Sequence, residues 1–359
     1  MKKLFLIQLG LVILLSLGLN GQNLLNLPES VVYDSLRCRY LVSNWGDGHL
    51  VQIDSMGVQS YFIENEHCHA GLIIVDTVVY AACREYGVRG FNLSNGQKIC
   101  DVPIPGAGNI NDITSDTSGF IYVSYPTASK IYQVDPVQQT YSVILDYNLN
   151  TPNGIYFDPT FNRIIIVSYR INTPIQALYL SDTTIQTINY PNLHNLDGIT
   201  CDENLNYYVS SWYTNAVHQM DSSFSSAQVL ATFADDPADI YYNPVDQIIA
   251  VPLIFSNQIE FIPLTTPVEE IDHGQLHKPD WRVCFQDGCL RINLTLEVNA
   301  EVGIAIFDLT GRSLSTTETR HLESGEHCIQ LSCPHLCTGG YIVRLQAGDD
   351  IYCKFILNI

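Results

Sequence analysis

The chain has 359 residues, of which 46% are hydrophobic and 15% charged, a balance that suits a large folded core and excludes a disordered chain. Its formal net charge is −20 with only 17 Lys and Arg, which excludes duplex nucleic acid as a partner, because phosphate binding needs clustered cations. Acidity of this kind favours solubility and attracts metal cations.

Met1-Lys2-Lys3 followed by the apolar run Leu4 to Leu19 predicts a signal peptide over residues 1–21, with cleavage near Gly18 or Gly21. The run is short for a membrane span, and a retained anchor is the alternative. No Cys lies near its end, which disfavours a lipoprotein anchor. The chain is therefore expected outside the cell or on its surface, where its 11 Cys meet oxidising conditions.

Between about Leu27 and Pro267 a unit of roughly forty residues recurs six times. Each copy has a short apolar strand ending in an acid or amide, a turn, and a second apolar strand. The first strands end at Asp34, Asp76, Asp116, Asp158, Asp202 and Asn243, at spacings of 42, 40, 42, 44 and 41. The runs are β-branched and aromatic and are separated by Gly, Asn, Asp, Ser and Pro, which is strand and turn chemistry. The expectation is an all-β chain with a six-bladed β-propeller over residues 22–267. The sixth copy lacks an obvious fourth strand, and Asn23-Leu24-Leu25-Asn26 is placed to supply it.

In a propeller the starts of the first strands and the ends of the second strands share one rim. Five residues before each terminal acid or amide stand Glu29, Gly71, Asn111, Asn153, Asp197 and Ala238. Four of these carry side-chain oxygens that would converge on the axis, a donor set for a hard divalent cation.

With Pro28-Glu29-Ser30, Asn111-Asp112, Asn153-Gly154 and Asp197-Gly198 in common register, this region resembles the senescence-marker protein/gluconolactonase family, six-bladed propellers with one axial divalent metal. The resemblance implies that Glu29, Asn111, Asn153 and Asp197 surround one ion of calcium, magnesium, manganese or zinc. It further implies that Asp197 is the general base in hydrolysis of a lactone or ester. Asn109 stands where the family has a sugar-contacting Arg, which puts a sugar lactone in doubt. The competing explanation is scaffolding, since NHL-type blades begin with Asn-Gly or Asp-Gly where the turn needs unusual φ and ψ, and Gly154 and Gly198 fit that reading.

The ends of the second strands place Trp45, Tyr125, Tyr169 and Trp212 on the same rim, a pattern suited to stacking on a glycan or peptide or, equally, to packing between blades. A non-enzymatic, NHL-like propeller that binds a glycan or protein through these aromatics is the alternative function. His67 and His69 flank blade two as solvated or hydrogen-bonded turn residues. No Gly-x-Ser-x-Gly elbow, His-Glu-x-x-His helix or phosphate-binding Gly-rich loop occurs.

Residues 268–280 have no period and read as a linker. Alternating runs after them, such as Leu290-Arg291-Ile292-Asn293-Leu294 and Val302-Gly303-Ile304-Ala305-Ile306, predict a small antiparallel β-sandwich over 281–359. Ile306-Phe307-Asp308-Leu309-Thr310-Gly311-Arg312, Leu322-Glu323-Ser324-Gly325-Glu326-His327, Gly339-Gly340-Tyr341-Ile342-Val343-Arg344-Leu345 and Lys354-Phe355-Ile356 follow in order. They resemble the C-terminal sorting domain of the type IX secretion system of Bacteroidetes, which implies that the tail engages that export machinery. Six Cys of the tail (Cys284, Cys289, Cys328, Cys333, Cys337, Cys353) are expected to form three disulfides, with zinc at Cys333 and Cys337 as the competing reading.

Overall fold

The structure, a computed structural model, describes residues 22–54, 57–264, 280–286, 289–308, 312–317, 319–332, 339–348 and 350–358. The expected signal peptide, and all of the expected linker except Asp280, fall outside those residues.

Each copy of the repeat folds into one antiparallel sheet. The first four-stranded sheet runs through Pro28–Asp34, Arg39–Asn44, Leu50–Ile53 and Gln59–Ile63, and four more four-stranded sheets follow in chain order. The sixth has three strands, Tyr241–Asn243, Ile248–Leu253 and Gln258–Pro263. The first strand of each sheet lies against the first strand of the next, and Pro28–Asp34 in turn lies against Tyr241–Asn243 and Ile248–Leu253. The architecture is a β-propeller. Inner and second strands are covered on both faces, so Arg163–Ser168 and Leu196–Cys201 are buried throughout, whereas the outermost Thr140–Leu145 and Gln258–Pro263 are largely exposed.

In blades three, four and five the acid that ends the inner strand builds the turn that follows. Asp202 accepts from the backbone N–H groups of Asn204 and Asn206 and from the Tyr208 hydroxyl, and Asp116 accepts from Ser118, Phe120 and the Tyr122 hydroxyl in the same way. Such Asx turns satisfy the backbone where the chain reverses. Asp158 also holds Arg163 Nε at 3.0 Å and accepts from Tyr207 of the next blade at 2.7 Å.

Neighbouring blades approach too closely for side chains at three crossings, one of them at Gly71, where a Cβ would lie 2.7 Å from Ile113 N. A Cβ on Gly154 would lie 2.1 Å from the Asp197 carbonyl oxygen, and one on Gly198 would lie 2.5 Å from the Ile240 nitrogen. Neither glycine has a positive φ. The Asn-Gly and Asp-Gly pairs thus answer to close backbone approach, not to unusual φ and ψ. Serines at the ends of second strands reinforce the crossings. The Ser124 hydroxyl accepts from Asp112 N at 2.9 Å and donates to Asn153 O at 2.6 Å; Ser210 does the same between Gly198 N and Ala238 O, both at 2.7 Å.

Residues 23–26 add no fourth strand to the sixth sheet. They lie in the seam between blades one and six, and side chains take up their backbone groups: Asn44 accepts from Asn26 N and donates to Leu24 O, Gln59 accepts from Leu24 N, and Asn257 accepts from Leu27 N. Leu25 fills the seam against Val31, Val42, Val51 and Ala250. Amide side chains here take the place of most of a ladder, beside backbone bonds from Gly46 N to Asn26 O at 3.0 Å and from Trp45 N to Leu27 O at 2.8 Å.

The tail forms two facing antiparallel sheets. One comprises Asp280–Gln286, Cys289–Leu296 and Gly325–Ser332; the other is centred on Ala300–Asp308 and Gly339–Ala347, and is extended by Asp350–Asn358. Alternate residues such as Leu290, Ile292, Leu294, Ile304, Val343 and Leu345 make their shared core. The three-disulfide expectation fails, because Cys289 and Cys328 are both unbridged. Cys289 pairs with Ser332 and Cys328 with Asn293, four residues apart in register, or about 13 Å at the usual strand rise. Cys333 and Cys337, the candidate zinc pair, lie outside the described residues. The disulfide present among the described residues is Cys68–Cys83, in blade two.

Two substitutions test these contacts. Leu25→Ala is expected to lower the stability of the full chain by about 2–4 kcal/mol in urea unfolding, as for other buried leucines; an unchanged midpoint would mean that the seam contributes nothing. Gly154→Asn is expected to be as damaging as Gly154→Ala, at least about 2 kcal/mol each from overpacking, whereas a φ requirement would spare Asn.

Candidate functional site

The inner strands bring the four predicted axial residues together. Glu29, Asn153 and Asp197 are only 3–4% exposed, and Asn111 is half-buried beside them. They form two amide–carboxylate pairs, Asn111 Nδ2 donating to Glu29 Oε1 at 3.3 Å and Asn153 Nδ2 to Asp197 Oδ1 at 3.0 Å. The Asp197 charge acts on Glu29, so the two pairs share one field.

Two further carboxylates join them: Asp112, which the sequence placed in the Asn111-Asp112 motif without a role of its own, and Asp239, which it did not single out. Asp112 accepts from Ile113 N and Ile155 N, both at 2.6 Å, and ties blade three to blade four. Asp239 accepts from Ser30 Oγ at 2.6 Å, while its own N–H donates to the Glu29 carbonyl at 2.9 Å, tying blade six to blade one. Each stands one residue after the position that carries the oxygen in the other blades, where blade three has Asn111 and blade six has Ala238. That one-residue offset is the signal that would have found them.

Burial raises all four carboxyls. Asp112 is pushed up to about 7, mainly by burial, against the pull of its two backbone N–H donors. Asp197 is also pushed up to about 7 by burial, with the Trp212 indole and the Asn153 amide pulling it back and Asp236 adding to the rise. Glu29 and Asp239 rise well above the carboxylate range through burial and their neighbours' negative charge. The groups that act most strongly on these acids include no Arg or Lys. The Trp212 indole N–H is near enough to lower Asp197, yet it completes no hydrogen bond of normal geometry.

The chemistry of this donor set fits a hard divalent cation. Among the described residues no three Asp, Glu, His or Cys side chains form a ligand group, so any cation would be held by mixed carboxylate and amide oxygens, those of Glu29, Asn153, Asp197 and Asn111. A cluster of buried acids without a countercharge is also what a bound cation would relieve.

The four rim aromatics divide into three settings. Tyr169 and Trp212 pack edge to face at 5.3 Å beside the acids, with Phe255 of blade six 6.0 Å beyond Trp212. Tyr169 is 38% exposed, and burial with the charges of Asp197, Asp236 and Glu29 raises its hydroxyl pKa. Tyr125 instead serves its own loop, its hydroxyl accepting from Gly108 N and donating to Gly106 O, both at 3.1 Å. Trp45 lies beneath Arg84, whose guanidinium is 5.0 Å from its ring centroid. Arg84 Nε also donates to Asn109 Oδ1 at 2.5 Å. A guanidinium from blade two therefore reaches Asn109 of blade three.

Residues 288–358 match the family model described as a secretion system C-terminal sorting domain. The tail marks the chain for export. By sequence, no curated protein matches the chain. Among solved structures, a gluconolactonase from Xanthomonas campestris aligns with a TM-score of 0.58 and 13% identity, covering 68% of this chain and 88% of that one. A calcium-binding protein, regucalcin, from Agrobacterium tumefaciens aligns with a TM-score of 0.51 and 16% identity, covering 64% and 82%. The extracellular domain of a putative hybrid two component system from Bacteroides thetaiotaomicron aligns with a TM-score of 0.51 and 12% identity over 93% of this chain; the chain spans only 57% of that protein's length. These likenesses concern the fold. The chain is an exported β-propeller of gluconolactonase-like architecture with a C-terminal sorting tail.

The acid cluster has a consequence for stability. Acids whose folded pKa lies above the unfolded value of about 4 bind more protons when folded, so stability is full at low pH and falls as pH rises through the folded values. With Asp112 and Asp197 at about 7, the loss falls mainly between pH 4 and 7 and continues above it through Glu29 and Asp239. In chelator, the melting temperature is expected to be lower at pH 8 than at pH 5.5, and millimolar divalent cation to restore it at pH 8. A melt independent of both pH and cation would contradict the geometry of the cluster.

Proposed function

We propose that the propeller holds one divalent cation at its axis and hydrolyses a lactone or ester on the exposed rim. The observation that carries this reading is the cluster of buried carboxylates and amides contributed by five of the six blades, with no basic side chain to balance it. Glu29, Asn153 and Asp197 would hold the cation, with Asn111 beside them. The bound cation would supply positive charge to polarise the substrate carbonyl.

The chain's own groups then have defined parts. The Asp197 carboxylate takes a proton from water as the water oxygen bonds to the carbonyl carbon. It returns that proton to the alkoxide oxygen when the carbon–oxygen bond of the lactone or ester breaks, so no outside reactant is needed. Asn153 fixes the orientation of Asp197 through its 3.0 Å hydrogen bond, and Asn111 does the same for Glu29. Without a cation, burial pushes the Asp197 carboxyl up to about 7, and the positive charge of a bound cation would favour the carboxylate form that takes the proton. Tyr169 and Trp212 wall the site on one side.

A second reading is favoured by one observation. The aromatic run Tyr169, Trp212 and Phe255 crosses three blades, and Phe255 is 61% exposed. Such a strip suits stacking on a glycan or a protein, and a propeller of that kind needs no turnover.

Metal content decides between them. The purified wild-type chain is expected to carry one equivalent of calcium, magnesium, manganese or zinc by mass spectrometry, and Glu29→Gln combined with Asp197→Asn to carry none. Asp197→Asn alone is expected to reduce lactone or ester turnover by at least about 100-fold, the usual loss for a general base. A wild type that binds no divalent cation when supplied with one would end the hydrolase reading and leave the aromatic strip as the binding surface.

A further inference from the structure

A cavity of ≈340 Å³ opens on the rim of blade two, lined by His67, His69, Arg84, Glu85, Tyr86 and Arg89. Its lining mixes charged and polar groups with at least as much apolar surface, in a chain that carries 37 acidic residues against 17 basic ones. Its volume is within the range of small-ligand sites. Two of its walls are joined covalently. Cys68 lies between His67 and His69, Cys83 immediately precedes Arg84, and the Cys68–Cys83 disulfide holds the two turns together.

The two arginines of the cavity differ in what they leave free. Arg89 is already neutralised, with Nε 3.0 Å from Asp101 Oδ1 and Nη1 3.2 Å from Glu66 Oε2, and it stacks on Tyr86 at 3.6 Å. Arg84 gives its Nε to the neutral amide of Asn109, and its nearest carboxylate, Glu85, is 3.9 Å away and 75% exposed. The two terminal nitrogens of Arg84 make no hydrogen bond to the described residues, while its plane rests on Trp45. His69 is fixed by a 2.8 Å contact from Nδ1 to the Trp45 carbonyl, which requires the proton on Nδ1 and leaves Nε2 as an acceptor when the ring is neutral. His67 stacks on His69 at 6.0 Å.

We propose that this cavity is a subsite for the carboxylate of a sugar acid, gripped by the free edge of Arg84. The two terminal N–H groups present a fork that matches the two oxygens of a carboxylate, and a single guanidinium paired only loosely, with the exposed Glu85, suits a monoanion better than a phosphate dianion. The histidines and Glu85 supply donors and acceptors for hydroxyl groups, which a polyhydroxylated acid satisfies and an apolar ligand does not. Asn109, which holds Arg84, lies two residues before Asn111 of the axial cluster, at most about 7 Å along the chain. Arg84 is thus linked to the axial cluster through Asn109, and where the hydrolase reading holds, the substrate is an acidic sugar lactone or ester. The subsite itself rests on Arg84 and the cavity alone.

The test is equilibrium binding to the full chain in chelator, where turnover plays no part. Titration with a hexuronate, the matching neutral hexose and inorganic phosphate, followed by calorimetry or NMR, is expected to show hexuronate binding at least tenfold tighter than either of the others. Arg84→Ala is expected to weaken hexuronate at least tenfold, and Arg84→Lys to recover only part of it because the fork is lost. Asn109→Asp, which would place a carboxylate on Arg84 without removing it, is expected to weaken hexuronate to the same degree while the melting temperature stays near wild type. Equal affinity for hexuronate and hexose, tighter binding of phosphate, or indifference to both Arg84→Ala and Asn109→Asp would each overturn the proposal. A chain that binds hexuronate in this way but contains no metal would keep the subsite and lose the hydrolase reading.

Discussion

Close approach of neighbouring inner strands is the constraint on which the rest of the structure depends. At Gly154 and Gly198 the next blade's backbone occupies the space a Cβ would fill. Ser124, between blades three and four, and Ser210, between blades five and six, take an N–H from their own blade and give a proton to the next. Because backbones, not flexible side chains, set these spacings, the residues just before the glycines are fixed in position. Asn153 and Asp197 are those residues. The contact that locks one blade to the next therefore also preorganises the polar centre, and a loosened crossing would displace donor atoms as well as reduce stability.

The same crowding accounts for the electrostatics. Inner-strand starts are sealed from water by their neighbours, so every acid placed there loses hydration, and Glu29, Asp112, Asp197 and Asp239 all have raised pKa values. Two of these acids are also structural fasteners: Asp112 accepts two backbone N–H groups, one from the next blade, and Asp239 is bonded to Ser30 across the seam. Glu29 and Asp197 make no such backbone bonds; their hydrogen-bonding partners are amide side chains. An amide can turn its oxygen toward the same space, so this second pair is free to change partners without unfastening a blade. That difference separates the acids proposed to hold a cation from the scaffold acids within a single cluster.

Much of this was legible in the sequence because turn chemistry is local. An acid that closes its own turn recurs wherever the turn recurs, and Asp34, Asp116, Asp158 and Asp202 set a register from which Glu29, Asn111, Asn153 and Asp197 followed by counting. Counting fails where the oxygen moves by one residue, as at Asp112 and Asp239. It also fails for side chains that reach between blades. Arg84 belongs to blade two but acts beside Asn109 of blade three, and no spacing along the chain reports that reach. The seam departs from the expectation for a related reason: residues 23–26 read as a strand, but Asn44 and Gln59 bind their backbone through side chains, which leaves no periodic trace. In the tail, alternation revealed the sandwich, whereas cysteine spacing said nothing about register, and register is what keeps Cys289 from Cys328.

Export and the architecture of the rim are connected through one covalent bond. Cys68 and Cys83 are fully buried and close a loop of 15 residues, for which the chain-entropy model gives about 3 kcal/mol of stabilisation. A sheet with a complete inner core has modest need of that, and the other blades manage without it among the described residues. The location of the bond is more informative than its strength. It ties the turn that enters blade two's inner strand to the turn that leaves its second strand, and both turns carry the polar groups of the rim cavity. Loops of this kind are ordinarily the most mobile part of a sheet. A disulfide there exchanges loop mobility for fixed positions of His67, His69 and Arg84, and it persists only in an oxidising compartment. A sorting tail that takes the chain to such a compartment is therefore consistent with a rim whose geometry depends on that bond.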